Sequence, residues 1–424
     1  MMTSRERVTL ALQHHEADRV PLDVGATTVT GMHVTSVYLL RQALGLDPPN
    51  TPVRVIDPLL MLGEIKPDLM QALGIDVVKL TGRATSFGYT LDGWKEWRTF
   101  DGTPVLVPGG FNTIPEPGGD LLMHPCADCS APPSARMPKG GYYFDSIIRQ
   151  PPIDEASLRP EQNLEEFSVI SDDEQEHFRL EAERLYQETD KAIMLSMGGL
   201  GFGDVGRVPG PGLRYPKGIR DLEEWYMSLS FRRDLIYKIF EAQLQIDLAN
   251  LAKIHDAVGE RVTAIYWTGA DFGSQNGTLV SPKTYRELFF PFHKQINEWI
   301  HKNTKWKTFI HSCGSVWTLI DDFITAGFDI LNPLQCSAAN MDPRALKNTF
   351  GSRIAFWGGG IDTQHTLPFG TPEDVRKEVR ERLERFGPGG SFVFSAIHNI
   401  QALVPVANLL AMFETVKDFG KYPL

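Results

Sequence analysis

The apolar positions gather into eight short, almost continuously hydrophobic runs: 19–26, 75–81, 192–198, 262–269, 307–313, 327–334, 353–359 and 390–397. Most do not alternate with polar residues, which is the pattern of parallel strands buried on both faces. Between them, apolar residues recur at helical spacing over 221–257, 282–303, 314–326, 372–386 and 405–419. Ser281-Pro282 and Thr371-Pro372 each put a hydroxyl ahead of a proline, the chemistry of an N-cap followed by the first helical residue. Strand then helix, repeated eight times, predicts an α/β fold of the (β/α)8 TIM-barrel type, with residues 1–424 as one barrel domain.

The first half breaks the repeat. Residues 83–172 are rich in Gly, Pro and aromatic side chains and carry little helical periodicity. They predict an elaborated insertion after the second run, with GGYYFDS (140–146) inside it. The Gly- and Pro-rich segment 199–220 reads as part of the rim around the barrel mouth, or as a mobile lid.

Composition narrows the class. A chain of 424 residues that is 42% apolar buries a core large enough to need no cross-links. Its four cysteines, Cys126, Cys129, Cys313 and Cys336, are too few for a disulfide framework. They are expected as free thiols or metal ligands in a reducing cytoplasm. Cys126 and Cys129 have CxxC spacing, but no second pair exists to complete a structural zinc site. The formal charge of −11 argues against nucleic acid and anionic membrane as partners. No apolar run approaches the ~20 residues of a membrane span, and the charged N-terminus does not read as a secretory signal.

In a barrel of this kind the chemistry sits at the C-terminal ends of the strands. There the sequence places Tyr266, Trp267, Asp271 and Gln275 after the fourth run, and His311 and Cys313 at the end of the fifth. Gln335 and Cys336 follow the sixth run, Trp357 and Asp362 the seventh, and His398 the eighth. Residues two apart on a strand face the same side, so His311 and Cys313 suit two ligands of one tetrahedral zinc. His398, with Cys336 or Gln335, is the candidate for completing the set. Tyr266, Trp267 and Trp357 are candidates for lining a flat substrate pocket. Asp271, Gln275 and Asp362 are candidates for binding substrate or orienting a ligand imidazole.

HSCGSV (311–316), LNPLQCSAANMDP (331–343), FWGGGIDTQ (356–364) and HNIQALVPVANLLAM (398–412) resemble the uroporphyrinogen decarboxylase superfamily. So do TSRERVTLALQHHEADRVPLD (3–23) and SAPPSARMPKGGYYFD (130–145). Within it they resemble the branch of corrinoid-dependent methyltransferases and O-demethylases. The resemblance implies a zinc enzyme that moves a methyl group from a small donor, a methoxylated aromatic first of all, to a corrinoid (cobalamin) carried by a partner protein. It implies His311 and Cys313 as zinc ligands, with His398 where the branch has a later cysteine. A homodimer is compatible with it. Two alternatives stand beside it: a metal-free decarboxylase, and a methylcobalamin:thiol methyltransferase. Against the first, 23–33 (DVGATTVTGMH) holds no Arg or Lys where the decarboxylases carry an arginine-rich stretch.

Overall fold

The structure is a computed structural model and describes residues 2–197 and 200–424. The last residue of the 192–198 run and the first of the 199–220 segment lie outside the described residues.

Seven of the apolar runs form one parallel sheet. In order across it stand Phe392–Val393, Ala355–Trp357, Ile330–Asn332, Lys307–His311, Ala264–Thr268, Ala192–Ser196 and Val77–Thr81. The eighth run, 19–26, makes isolated bridges rather than a regular strand. Asp23 N–H donates to Phe394 O at 2.9 Å, Phe394 N–H to Pro21 O at 2.8 Å, and Asp76 N–H to Leu22 O at 2.8 Å. Residues 21–23 are therefore bonded to the segments at both edges of the sheet. Pro21 has no N–H to give, and the Leu22 N–H is taken by the Asp76 carboxylate at 2.8 Å; both weaken a continuous ladder here. The fold is α/β and TIM-like.

Alternation sorts the strand side chains into two layers. Val77, Met194, Ala264, Phe309, Ile330, Trp357 and Val393 share an inner cluster. Val78, Leu195, Ile265, Trp267, Ile310, Leu331 and Phe356 belong to the outer layer, which packs against the helices. The helical segments form with breaks that the periodicity did not predict. The 221–257 segment is two helices, Leu222–Phe231 and Arg233–Val258, parted at Arg232. The 282–303 segment divides at Phe289, two residues before Pro291, into Pro282–Leu288 and Phe290–Asn303; a proline cannot supply the N–H that would continue the helix. Ser281 and Thr371 cap their helices as the sequence suggests.

Between Thr81 and Asp172 lie two four-stranded sheets. One joins Lys95–Arg98 and Pro104–Val107 to Val53–Asp57 and Leu62–Gly63, so it recruits residues that precede the second apolar run. The other consists of Thr113–Pro115, Leu121–Met123, Ala135–Met137 and Asp145–Ser146. The described part of the 199–220 segment is fastened to this region. Arg149 donates to Leu213 O at 2.6 Å and the Cys126 thiol to Gly212 O at 3.3 Å.

Candidate metal centre

Parallel strands bring their C-terminal ends to one rim, and three donor groups converge there. His311 is the last residue of its strand, Cys313 lies two residues beyond, and His398 follows the Phe392–Val393 strand. Their ligand atoms all lie within 4.8 Å of one another. Cys313 Sγ is 3.4 Å from His311 Nε2. The His311 and His398 rings sit edge to face with centroids 5.5 Å apart.

Hydrogen bonds fix which nitrogen each histidine presents. Asn332 Nδ2 donates to Trp357 O at 2.8 Å, so the amide oxygen of Asn332 is turned the other way. That oxygen lies 2.6 Å from His311 Nδ1 and accepts its proton. The Nε2 lone pair of His311 is thereby left facing Cys313. His398 repeats the device: its Nδ1–H donates to Asn399 Oδ1 at 2.5 Å, and Gln401 donates to the same oxygen at 2.7 Å. Asparagine oxygens behind both rings are the kind of outer partner that orients metal-binding imidazoles.

The loop carrying Cys313 is held from several sides. Asp271 Oδ1 accepts the Cys313 N–H at 2.8 Å, and Ser312 Oγ accepts the Phe272 N–H at 2.9 Å. Gln335 Oε1 accepts the Gly314 N–H at 2.8 Å. Gly314 has φ +84°, and a Cβ there would lie 2.5 Å from the Gly273 carbonyl carbon, so only glycine fits this crossing of two loops.

The electrostatics suit a cation. Burial, then the neighbouring His398 charge, lowers the His311 pKa to about 3, so the imidazole is neutral. Burial, then Asp271, raises the Cys313 thiol well above its usual range. Burial raises Asp271 and lowers His398. A dication reverses this by favouring thiolate and neutral imidazole together. Tetrahedral zinc at 2.0–2.3 Å needs ligand separations of roughly 3.3–3.8 Å, a modest contraction of what is present. The residues fit zinc with three protein ligands and an open fourth place.

The remaining sequence candidates separate. Cys336 stands outside the convergent group: its thiol donates to Leu334 O at 3.3 Å, back along its own loop, and burial pushes its pKa up to about 12. Trp267 faces away from the mouth, with Nε1–H donated to Asn297 Oδ1 at 3.1 Å and the ring stacked on Phe328. Trp357 does face the barrel interior, but lies buried in its packed layer, donating to Asp23 Oδ2 at 2.8 Å. Neither tryptophan lines the cleft. Tyr266 lies between, its ring 6.5 Å from that of His311. Asp362 lines the cleft, but its Oδ1 already accepts from the Gln364 and His365 N–H groups at 2.6 and 3.0 Å. Gln275 is at the rim, accepting from Gln335 Nε2 at 2.7 Å.

Several neighbours had no role in the sequence reading. Asn332 and Asn399 lie within the 331–343 and 398–412 stretches, which gave them no role of their own; standing at strand ends beside histidines was their one signal. Asp204, on the 199–220 segment, comes close to Tyr266: a Cβ on Gly269 would sit 3.0 Å from Asp204 Oδ2 and 2.6 Å from the Tyr266 hydroxyl. Lys79 shares the inward face with Val77 by alternation; burial lowers its pKa, with Asp57 opposing.

The cleft lined by Cys313 and His398 is about 250 Å³. Residues 248–419 match the family model for uroporphyrinogen decarboxylase. The uroporphyrinogen decarboxylase of Chlorobium phaeobacteroides is 28% identical over 178 residues, which are 40% of this chain and 48% of that protein. The enzyme of Chlorobium phaeovibrioides is 27% identical over 180 residues, again 40% and 48%. The matches thus span about half the length of these curated relatives. In fold the chain is similar to a methyltransferase from Methanosarcina mazei, with a TM-score of 0.56 and 16% identity over 99% of both chains. The family-model match takes in the strands bearing all three donor residues, so over residues 248–419 the chain is similar to uroporphyrinogen decarboxylase.

Proposed function

We propose that the protein is a zinc-dependent methyltransferase that moves a methyl group between a methoxylated small molecule and a corrinoid on a partner protein. The observation that carries this reading is the convergence of His311, Cys313 and His398, with both Nδ1 atoms tied to asparagine oxygens. A metal-free decarboxylation makes no use of such a donor set. The eight runs closed into one barrel, with 83–172 inserted, would set this group at the floor of an open mouth where a second protein can dock. The fold shared with a methyltransferase is compatible with the reading.

Bound zinc supplies Lewis acidity at the ether oxygen, which makes that oxygen a better leaving group. The chain's own residues do the positioning. Asn332 and Asn399 aim the imidazoles, Asp271 holds the Cys313 backbone, and Gln335 holds the turn at Gly314. In the demethylating direction the O–CH3 bond breaks, its electron pair stays on oxygen, and that oxygen takes up one proton. Cobalt(I) of the partner's corrinoid provides the pair for the new bond to carbon. The reverse direction, with a thiol as acceptor, uses the same three donors. The methoxylated aromatic expected from the sequence gains no support from Trp267 and Trp357, which lie outside the cleft.

The test is methyl transfer from methoxy compounds to free cob(I)alamin, followed by absorbance. Transfer by the zinc-loaded protein and its loss in Cys313→Ala are expected. Decarboxylation of a porphyrinogen by the metal-free protein would replace this reading.

A further inference from the structure

The wall of the cleft next to the donor group is a chain of side-chain amides with a fixed direction. The Gly314 N–H occupies Gln335 Oε1 at 2.8 Å, so Gln335 turns its Nε2 outward. Gln335 Nε2 donates to Gln275 Oε1 at 2.7 Å, and Gln275 Nε2 donates to Gln364 Oε1 at 3.2 Å. A backbone N–H cannot accept, so it sets the sense of all three amides. Both N–H groups of Gln364 and the second one of Gln275 remain at the rim, where the two residues are exposed. Ser274, Ser337 and Thr363 add hydroxyls to the lining, and Ile397 is its one large apolar side chain.

What is missing from this lining is equally informative. No Lys, Arg, Phe, Tyr or Trp is among its described lining residues, while Asp362 is, and Asp271 lies directly behind Cys313. Lys79, on the inward face, is not among the lining residues. An anion here meets the Asp362 and Asp271 carboxylates, and the one cation available to it is the zinc, whose open place the ether oxygen takes. An aryl ring meets amides and hydroxyls whose hydrogen bonds it cannot return. A volume near 250 Å³ is also below that of ordinary drug-sized pockets.

Given the methyl-transfer reading, on which this rests, we infer that the donor is a small uncharged molecule bearing a hydroxyl or carbonyl oxygen. That oxygen accepts from Gln275 and Gln364; carboxylated and aryl methyl ethers are poor ligands.

Ligand-observed NMR binding to the zinc-loaded protein tests this with three probes: 2-methoxyethanol, methoxyacetate and methoxybenzene. We expect 2-methoxyethanol to bind at least tenfold more tightly than the other two. Gln275→Leu and Gln364→Leu should each weaken it, up to about tenfold, the worth of one hydrogen bond. Zinc content should stay unchanged; Gln364, exposed on its loop, can be replaced without disturbing the fold. Equal or tighter binding of methoxyacetate or methoxybenzene overturns the inference, as does wild-type binding by both variants. Methyl transfer to cob(I)alamin is measured separately. Selective binding without transfer removes the methyl-transfer reading and with it the role of donor, while leaving the cleft's preference for a small uncharged ligand in place; transfer without selective binding overturns the inference alone.

Discussion

The two asparagines behind the histidines are the residues on which metal affinity depends most after the ligands themselves. Asn332→Ala removes the acceptor that keeps the proton on His311 Nδ1. Zinc affinity should fall 10- to 100-fold, the usual cost of losing such a partner, as read by competition with a chelator. Asn399→Ala should act likewise through His398. The meeting of His311 and Cys313 was legible from strand alternation, and that of His398 from its place at another strand end. The asparagines were not, because an Asn oxygen behind an imidazole leaves no spacing rule. Tyr266 and Trp267 could not both have lined a pocket: neighbours on a strand point to opposite faces, and Trp267 took the outer one. Trp357 points inward, but depth along a strand is invisible to a face-by-face reading.

Among elements, the crossing of the 271–274 and 312–315 loops and the edge-bridging 19–26 segment matter most. Gly314→Ala puts a Cβ against backbone, where no side chain can swing aside. It should lower the melting temperature and weaken zinc binding more than tenfold, measured by calorimetry. Asp23 ties the 19–26 segment to Trp357 and is fully buried; burial raises its pKa to about 6 against a model-peptide value near 4. A carboxyl raised on folding makes stability fall as pH rises through that interval. The contribution is complete below pH 4 and lost above about 6. Urea midpoints should therefore decline from pH 4 to 6 by a component equivalent to about 2–3 kcal/mol, absent in Asp23→Asn. The strands were legible because they are apolar on both sides. The parting at Arg232 and the divided helix near Pro291 were not, since apolar periodicity continues across both.

Across the whole molecule, the parallel strands carry the donor residues, and the 200–220 segment is bonded to the 81–172 region. Arg220 joins these two parts: buried, it donates to Glu166 at 2.8 Å, Gln162 O at 2.7 Å and Lys217 O at 2.6 Å. Arg220→Met strands the Glu166 carboxylate, at a cost of about 3–5 kcal/mol. The thermal midpoint should drop while zinc content at low temperature holds, which separates the scaffold from the metal centre. The sequence reading went only as far as a β-rich or loop insertion, without its strands, because those strands are only two to five residues long, too short for periodicity to register. No described helix is long and apolar enough to cross a membrane. The central claim is the three-ligand metal centre, and elemental analysis of the purified protein meets it most directly. One zinc per chain is predicted, lost in Cys313→Ala and in His398→Ala and retained in Cys336→Ala. Wild-type protein that takes up no zinc, or a His398→Ala variant that keeps it at full affinity, would contradict the account.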